Sequence, residues 1–369
     1  MSSVDATSTA NIISAFPHRF AGLKDLARLP WFEVRDDRLV VVDPTITRAI
    51  DMHTHLALAY VRPMAVDLTA SHPHVEHYLP ADVDLDLDVY VNKNFRDHDL
   101  QRMNRDLILG SLTASGLRRT HTVPNLVREM GELSIAQSVL LPIEMPRPLS
   151  DNTRRWLQAV HDVAADEQIV CFGSVHPYTW HMEAQLDEQV RLGVRGIKVH
   201  PAVQMVRPDD ARAMKLYRLC AARQLPVLWH CGPVGIEPRL GRHMSQLRHY
   251  ERAIAENPTT TFVLGHSGAL QMEEALVYAR RYDNVWLEIS SQSVSNIARL
   301  LDVLGDDRVM YGTDWPFYHQ AIALAKVLMV TEGRPVSRAK ILHDNAARLL
   351  GLTTATTATT TTTTTTTTT

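Results

Sequence analysis

His53 and His55 stand one residue apart at the end of an apolar run, in the segment Asp51-Met-His-Thr-His55. Residues i and i+2 of a strand share a face, so the two imidazoles project together while Met52 and Thr54 point away. Two neutral imidazoles on one side of a strand end can close on a single metal ion. Alone, the pair is weak evidence, and two polar residues at a strand exit is the plainer reading. Lys198, His230, His266 and Asp314, however, each close a later apolar run with a group that binds metal or carries a proton. Each also has a plain structural reading: His230 precedes Cys231-Gly232-Pro233 and could serve a turn, and Asp314 precedes Trp315-Pro316 and could cap a helix. Independent accidents would not choose the same end of so many runs, so the set is read as one constellation. Imidazole nitrogen and carboxylate oxygen suit Zn²⁺ or a similar divalent ion, and three or four such ligands leave a position open for water. The alternating histidines of Ser71-His-Pro-His-Val-Glu-His77 invite the same reading, but a solvated loop explains them equally well.

The elements that must hold these groups follow a βα rhythm. Leu39 to Val42, Ile46 and Ile50 read as short β pieces leading to His55. From about residue 136, short apolar runs ending in polar residues alternate with longer amphipathic stretches that carry helix caps. The runs are Ser138–Ile143, Ile169–Val175 ending at His176, Val194–His200, Pro226–His230, Thr261–His266, Val285–Ile289 and Arg308–Asp314. With the run that ends at His55 they make eight βα units, which predicts an α/β fold, a (β/α)8 TIM barrel. In such a barrel the C-terminal strand ends surround one mouth and bring distant residues together. Residues 57–129 interrupt the first crossover as a long insertion after strand 1. They are expected to form a lid or substrate-selecting cap, helical over Gln101–Leu109, rather than a second core. The domain plan is an N-terminal extension over 1–45, a barrel over 46–352 and a disordered Thr-rich tail over 353–369.

Composition narrows the classes. Of 369 residues 45% are hydrophobic, enough for one large core. A formal charge of -3 shows no basic excess that would attract nucleic acid or an anionic membrane. Apolar stretches fall well short of about 20 residues, and Met1–Ala15 lacks a basic segment followed by an apolar one. A cytoplasmic protein without membrane contact is expected. Cys171, Cys220 and Cys231, without CxxC spacing, suggest neither a disulfide framework nor a thiolate zinc site. Exposed barrel helices offer ordinary surfaces for a homodimer.

Six segments carry a resemblance that covers residues 46–352: Asp51-Met-His-Thr-His55, Gly196-Ile-Lys-Val-His-Pro201, Pro226-Val-Leu-Trp-His-Cys-Gly232, Val263-Leu-Gly-His-Ser-Gly268, Tyr311-Gly-Thr-Asp-Trp-Pro316 and Ile341-Leu-His-Asp-Asn-Ala-Ala-Arg-Leu-Leu-Gly351. The chain resembles the amidohydrolase superfamily. Its similarity is to the amidohydrolase-related branch, which holds metal-dependent hydrolases and nonoxidative decarboxylases of the aminocarboxymuconate-semialdehyde type. These motifs are specific for family and fold and say little about substrate.

The resemblance implies that His53, His55, His230 and Asp314 hold one divalent metal, zinc foremost and manganese next, with His266 and Asp314 as acid or base. Such an ion lowers the pKa of its water to about 7 and polarises a substrate oxygen. Asp314 can accept that water's proton, and His266 can stabilise an oxyanion or protonate the leaving group. In binuclear relatives a strand-four lysine is carboxylated and bridges two metals. Lys198 lies at the corresponding strand; a substrate or structural contact is preferred for it, with the bridging carbamate and a second metal as the alternative. His176 and His200, each followed by proline, are expected behind the ligands. The expected activity is metal-dependent hydrolysis of a small organic amide, ester or lactone. The alternative is a nonoxidative decarboxylase or hydratase acting on an unsaturated or aromatic carboxylic acid, and the third reading is a noncatalytic barrel that binds a small molecule. Arg62, Asn94, Arg96 and Trp180 are unranked candidates for choosing the substrate.

Overall fold

Eight short apolar segments form parallel strands: β1 (Ala49–Thr54), β2 (Ile135–Leu140), β3 (Ile169–Cys171), β4 (Ile197–Val199), β5 (Val227–His230), β6 (Phe262–Gly265), β7 (Val285–Glu288) and β8 (Val309–Met310). The computed structural model describes residues 13–352 apart from 47, 59–64, 110–115 and 147–148, so the Thr-rich stretch 353–369 and Arg62 lie outside the described residues. Pairing runs through β1-β2-β3 in one arc and β4-β5-β6-β7-β8 in another. Both seams between the arcs are bridged. From β4 to β3, Gly173 N donates to Gly196 O at 2.8 Å and Lys198 N to Gly173 O at 2.7 Å. From β1 to β8, Met52 N donates to Tyr311 O at 3.0 Å and His55 N to Trp315 O at 2.7 Å. The strands therefore stand in the circular order of a (β/α)8 barrel.

Ile50, Met52, Val139, Leu141, Val170, Phe172, Leu228, Val263 and Met310 fill the barrel interior. Ala346, Ala347 and Leu350 of the last helix, Asn345–Leu350, join the same cluster and close one end of it. Met52 thus faces inward, against the expectation that it points away from His53. A regular strand cannot turn two successive residues to one face. The register shift between Asp51 and Thr54 breaks the alternation, as bulges beside active sites do, and swings His53 and His55 inward behind Met52.

Two other boundaries differ from the sequence reading. Leu39–Val41 belongs to an antiparallel hairpin, Phe32–Arg35 with Arg38–Val41, outside the barrel. Its turn places Asp36 and Asp37 at φ 48 and 64°, the left-handed pair that two-residue hairpins require. The amphipathic stretch after β5 is not one continuous helix: it is split into Arg239–Met244, a turn at Leu247–His249 and Glu251–Glu256. Gly232 N donates to Ser245 O at 3.1 Å, which draws the break against the loop that follows β5. Elsewhere a helix follows each strand as the βα rhythm requires: Met182–Arg191, Ala211–Ala221 capped by the Asp210 side chain, Met272–Arg281, Val294–Leu304 and Gln320–Val330.

Gln320–Val330 is buried at every position, whereas an outer barrel helix usually keeps a wet face. Residues 85–95 pass across this side of the barrel: Val294 N donates to Leu87 O at 3.0 Å and Val91 N to Ser291 O at 3.0 Å. Leu79, Val83, Leu87 and Val91 share one core cluster with the outer barrel helices. The helix within 57–129 spans Asp97–Leu109, with Asp97 and Asp99 in its first turn where the helix dipole favours them. Among the described residues no helix is long and apolar enough to cross a membrane.

Candidate active site

Asp51 fastens the first strand to the last. Its buried carboxylate accepts from His53 N at 3.0 Å, Thr313 N at 3.0 Å, Thr313 Oγ1 at 2.5 Å and Gln320 Nε2 at 2.7 Å. Asp314 N in turn donates to His53 O at 2.7 Å, and Asp314 sits at φ 63°. A left-handed conformation at a non-glycine residue costs on the order of 1–3 kcal/mol and persists only where its surroundings impose it. Here these hydrogen bonds impose it, and they aim the Asp314 carboxylate at the two histidines of β1.

His53, His55 and Asp314 present ligand atoms all within 4.8 Å of one another. Asp314 Oδ1 lies 3.3 Å from His55 Nε2 and 3.6 Å from His53 Nε2. The second nitrogen of each ring is already committed. His55 Nδ1 donates to Leu141 O at 2.7 Å, and His53 Nδ1 donates to the Glu288 carboxylate at 2.7 Å. A neutral imidazole that donates through Nδ1 has a lone pair on Nε2. Two lone pairs and a carboxylate oxygen therefore converge on one point. Acceptors that face each other in a buried site call for positive charge among them, and the Lys198 ammonium, 3.1 Å from His53 Nε2, meets only one of the three; nitrogen with oxygen donors fits a divalent transition ion.

The protons of the next residues follow in sequence. Glu288, at the end of β7, also receives Ser290 Oγ at 2.8 Å and His266 N at 3.2 Å. Burial pushes its carboxyl up to about 8, and the donors around it act in the opposite sense. With Glu288 as carboxylate, the Ser290 hydroxyl donates to it and accepts from His266 Nδ1 at 2.8 Å. His266 Nε2 then accepts from His230 Nδ1 at 3.1 Å, which leaves the lone pair of His230 on Nε2. His230 is outside the tight ligand group, yet this network prepares it as a further nitrogen donor. His200 stacks on it with ring centroids 4.0 Å apart. Burial, foremost, holds His53, His200, His230 and His266 well below the usual histidine range, so all four are neutral rings.

Lys198 is fully buried, and its ammonium donates to His53 Nε2 at 3.1 Å. Burial lowers its pKa to about 8 against the opposing charges of Asp314 and Glu288. It meets His53 and does not line the cavity. His176 is spent on structure, with Nε2 donating to Gln204 O at 2.9 Å and Nδ1 accepting from Tyr178 N at 3.0 Å. In the histidine-rich segment only His77 is buried. It pairs with Glu129 at 3.1 Å, and among the described residues the segment joins no ligand group.

A cavity of about 620 Å³ opens over this floor, within the size range of small-molecule sites. His55, His200, His230, His266 and Asp314 form its polar base. Its walls are largely apolar, with Ile143, Val203, Val234, Leu240 and Phe317 among them. Leu58, Tyr90, Asn92, Asn104 and Leu107 of the insertion complete them.

A model of the amidohydrolase family matches residues 50–352. The chain belongs to the amidohydrolase family. Among solved structures, this amidohydrolase is similar to an uncharacterised TIM-barrel protein from Bordetella bronchiseptica, with 21% identity, TM-score 0.57 and coverage of 83% of this chain and 99% of that one. It is similar to 5-carboxyvanillate decarboxylase from Sphingomonas paucimobilis, with 17% identity, TM-score 0.56 and coverage of 83% and 99%. A third is dihydroxybenzoic acid decarboxylase from a Polaromonas species, with bound manganese and the inhibitor 2-nitroresorcinol, at 16% identity, TM-score 0.53 and coverage of 83% and 97%. At these identities the likeness concerns the fold. Among curated proteins no sequence matches the chain significantly.

Several residues of the amidohydrolase site escaped the sequence reading. Glu288 stands where a ligand-orienting group should, at the C-terminal end of Val285-Trp-Leu-Glu288, but that run ends without a histidine and so carries no metal signal of its own. Of the four residues named for substrate choice, Arg62 is outside the described residues and the others are elsewhere. Arg96 pairs with Asp99 at 2.6 Å, Asn94 accepts from Asp86 N at 2.9 Å, and Trp180 is 94% exposed.

Proposed function

We propose that this amidohydrolase is a metal-dependent lyase that replaces a carboxylate by a proton on an aromatic or unsaturated acid, with one divalent ion held by His53, His55, His230 and Asp314. The observation that carries the reading is the meeting of the acceptor-only group His53, His55 and Asp314 with a mainly apolar cavity of about 620 Å³. A bound divalent ion supplies the charge that holds and polarises the oxygens of the substrate. Manganese and zinc both suit the donors. The apolar walls hold a planar ring and exclude water, which strengthens the electrostatics at the base.

Asp314 belongs to the ligand group and also faces the cavity, so a proton on its free oxygen can be delivered to the ring carbon. The C–H bond forms at the expense of a π pair, the C–C bond to the carboxylate then breaks, CO₂ leaves, and the electron pair of that bond restores the π system. The His230–His266 pair holds its protons in fixed places beside this exchange. Residues of the insertion act as the substrate-selecting cap. Hydrolysis, the first expectation from sequence, has less support, since two of the similar solved structures described above are decarboxylases of aromatic acids.

The test is CO₂ release by manganese- or zinc-loaded protein from hydroxybenzoates and carboxylated methoxyphenols, with lactones, esters and amides in parallel. The expected result is CO₂ from at least one aromatic acid, lost in Asp314→Asn. Cleavage of esters, amides or lactones without CO₂ from any acid would overturn the reading.

A further inference from the structure

The cavity is larger and drier than a single-ring acid needs. At about 30 Å³ for each water-sized atom, its volume of about 620 Å³ holds roughly twenty non-hydrogen atoms, about twice the number in a hydroxybenzoate. The surplus lies toward the mouth. His55, His266 and Asp314 at the base are buried, whereas Met205 and Leu240 on the wall are 42% and 55% exposed. Val203 and Ile236 also line the wall and pack against the hydrophobic core, but Met205 and Leu240 stand outside that core and meet water. Met205 ends the short helix Pro201–Gln204 at φ 54°, a left-handed position that glycine or asparagine usually fills. A large apolar side chain is thus kept where both backbone and solvent disfavour it. The helix Arg239–Met244 brings Leu240 to the same rim: a Cβ at Gly241 would lie 3.3 Å from that of Ala202, so glycine lets the two helices close on each other.

The polar groups above the base are spent on the protein. Asn92 Nδ2 donates to Val234 O at 2.9 Å, and Asn92 Oδ1 accepts from the Tyr318 hydroxyl. Glu237 Oε1 accepts from Val234 N at 3.1 Å and lies 3.9 Å from Arg242 Nε. Among the described residues that line the cavity there is no lysine or arginine, so an anionic tail would find no positive partner there. Asn104, exposed on the insertion helix, is the polar exception at the mouth. The outer part of a ligand therefore meets hydrocarbon, and a hydrated group placed there would lose its water without replacement.

We propose that the substrate carries an apolar substituent of several carbons beyond its ring, that this substituent runs along Leu107, Val203 and Ile236 toward the mouth, and that Met205 and Leu240 select for it. This rests on the cavity being the site of an aromatic acid. Seating the substituent covers two exposed apolar side chains and expels water from the wall. Each methylene that leaves water for such a wall is worth about fourfold in affinity. Met205 and Leu240 are specificity residues and take no part in the proton exchange.

Binding separates this proposal from the reaction assigned above, since it requires no turnover. Manganese-loaded parent protein and the double variant Met205→Asn, Leu240→Gln are titrated calorimetrically with benzoates that carry a methyl, propyl or pentyl chain at the ortho, meta or para carbon. Both positions are exposed, and asparagine tolerates the left-handed backbone at 205, so the variant leaves core packing untouched. In the parent, affinity is expected to climb at least about thirtyfold from methyl to pentyl in one isomer series, somewhat less than full burial of every added methylene gives. In the double variant the pentyl-to-methyl ratio, read within that protein, falls at least about fivefold. No climb in the parent, an equal climb on all three isomers, a ratio unchanged in the variant, or no binding of any of these acids would overturn the proposal. The climb in the parent and its loss in the variant, with no CO₂ released from any acid, would uphold the apolar subsite and count against the lyase reading alone. CO₂ release from hydroxybenzoates without the climb would remove the subsite and leave the lyase reading standing.

Discussion

Asp51 and Glu288 show how little of the site consists of ligands. Each is a buried carboxylate surrounded by donors, and each orients histidines rather than offering itself to the cavity. Replacing Asp51 by Asn turns an amide NH₂ toward groups that are themselves donors. Asp51→Asn is expected to cost about 2–3 kcal/mol, read by urea unfolding, and to loosen metal retention. An unfolding midpoint equal to the parent's would mean the β1–β8 fastening is not as described. At Glu288, Glu288→Gln still accepts from His53 through its amide oxygen but offers a donor to Ser290 or His266. The His266–His230 proton order should be disturbed and turnover should fall by about 10–100-fold with the fold intact. Circular dichroism alongside kcat separates the two effects.

At the scale of elements, the segment from β6 to the helix after β8 forms a chain of support. Lys326, fully buried on Gln320–Val330, donates to Gln292 O at 2.7 Å, and Gln292 Nε2 donates to His266 O at 2.6 Å and Ala269 O at 2.9 Å. His266 and Ala269 sit at φ 55 and 51°, so the loop is held in a conformation it would not adopt alone. Burial lowers the Lys326 pKa to about 7 from 10.5, against the charges of Asp88 and Asp86. Between those values the unfolded chain keeps a proton that the folded chain has released, so stability rises with pH from about 7 to about 10. The rise should be on the order of a few kcal/mol and absent in Lys326→Met, with chemical unfolding at several pH values as the measurement. A parallel profile in the variant would remove Lys326 as the cause. A second support joins the insertion to the mouth: Glu129 accepts from Trp315 Nε1 at 2.7 Å and from His77 at 3.1 Å. Glu129→Ala should destabilise the protein by about 3 kcal/mol, because it leaves two buried donors unpaired.

For the molecule as a whole, the eight-fold βα order and the candidate ligands at strand ends could be read in the sequence because both are local signals. An apolar run of four to six residues that ends in histidine or aspartate announces a strand and its working end together. His53, His55 and Asp314 do converge, and His230 with His266 lines the same cavity. What escaped the sequence depends on contacts distant along the chain. The bulge that turns His53 inward is a matter of register between β1 and β2, and the burial of Gln320–Val330 on every face depends on packing against neighbours such as Val294–Leu304. The cavity itself exists only where the loop after β5 meets Leu58, Tyr90, Asn92, Asn104 and Leu107. An ion that binds the folded state alone stabilises it by RT ln(1 + [L]/Kd), about 2.7 kcal/mol at a hundredfold excess over Kd. Chelation should therefore lower the melting temperature, and restoring manganese or zinc should recover it. A melting temperature indifferent to chelator would mean that no ion occupies the site.

The most direct measurement is metal content per chain, by elemental analysis after gentle purification, for the parent, His55→Ala and Lys198→Ala. One divalent ion in the parent, lost in His55→Ala and kept in Lys198→Ala, is the expected result for a single ion seated on His53, His55 and Asp314. No metal in the parent, or two ions that fall to fewer in Lys198→Ala, would contradict it.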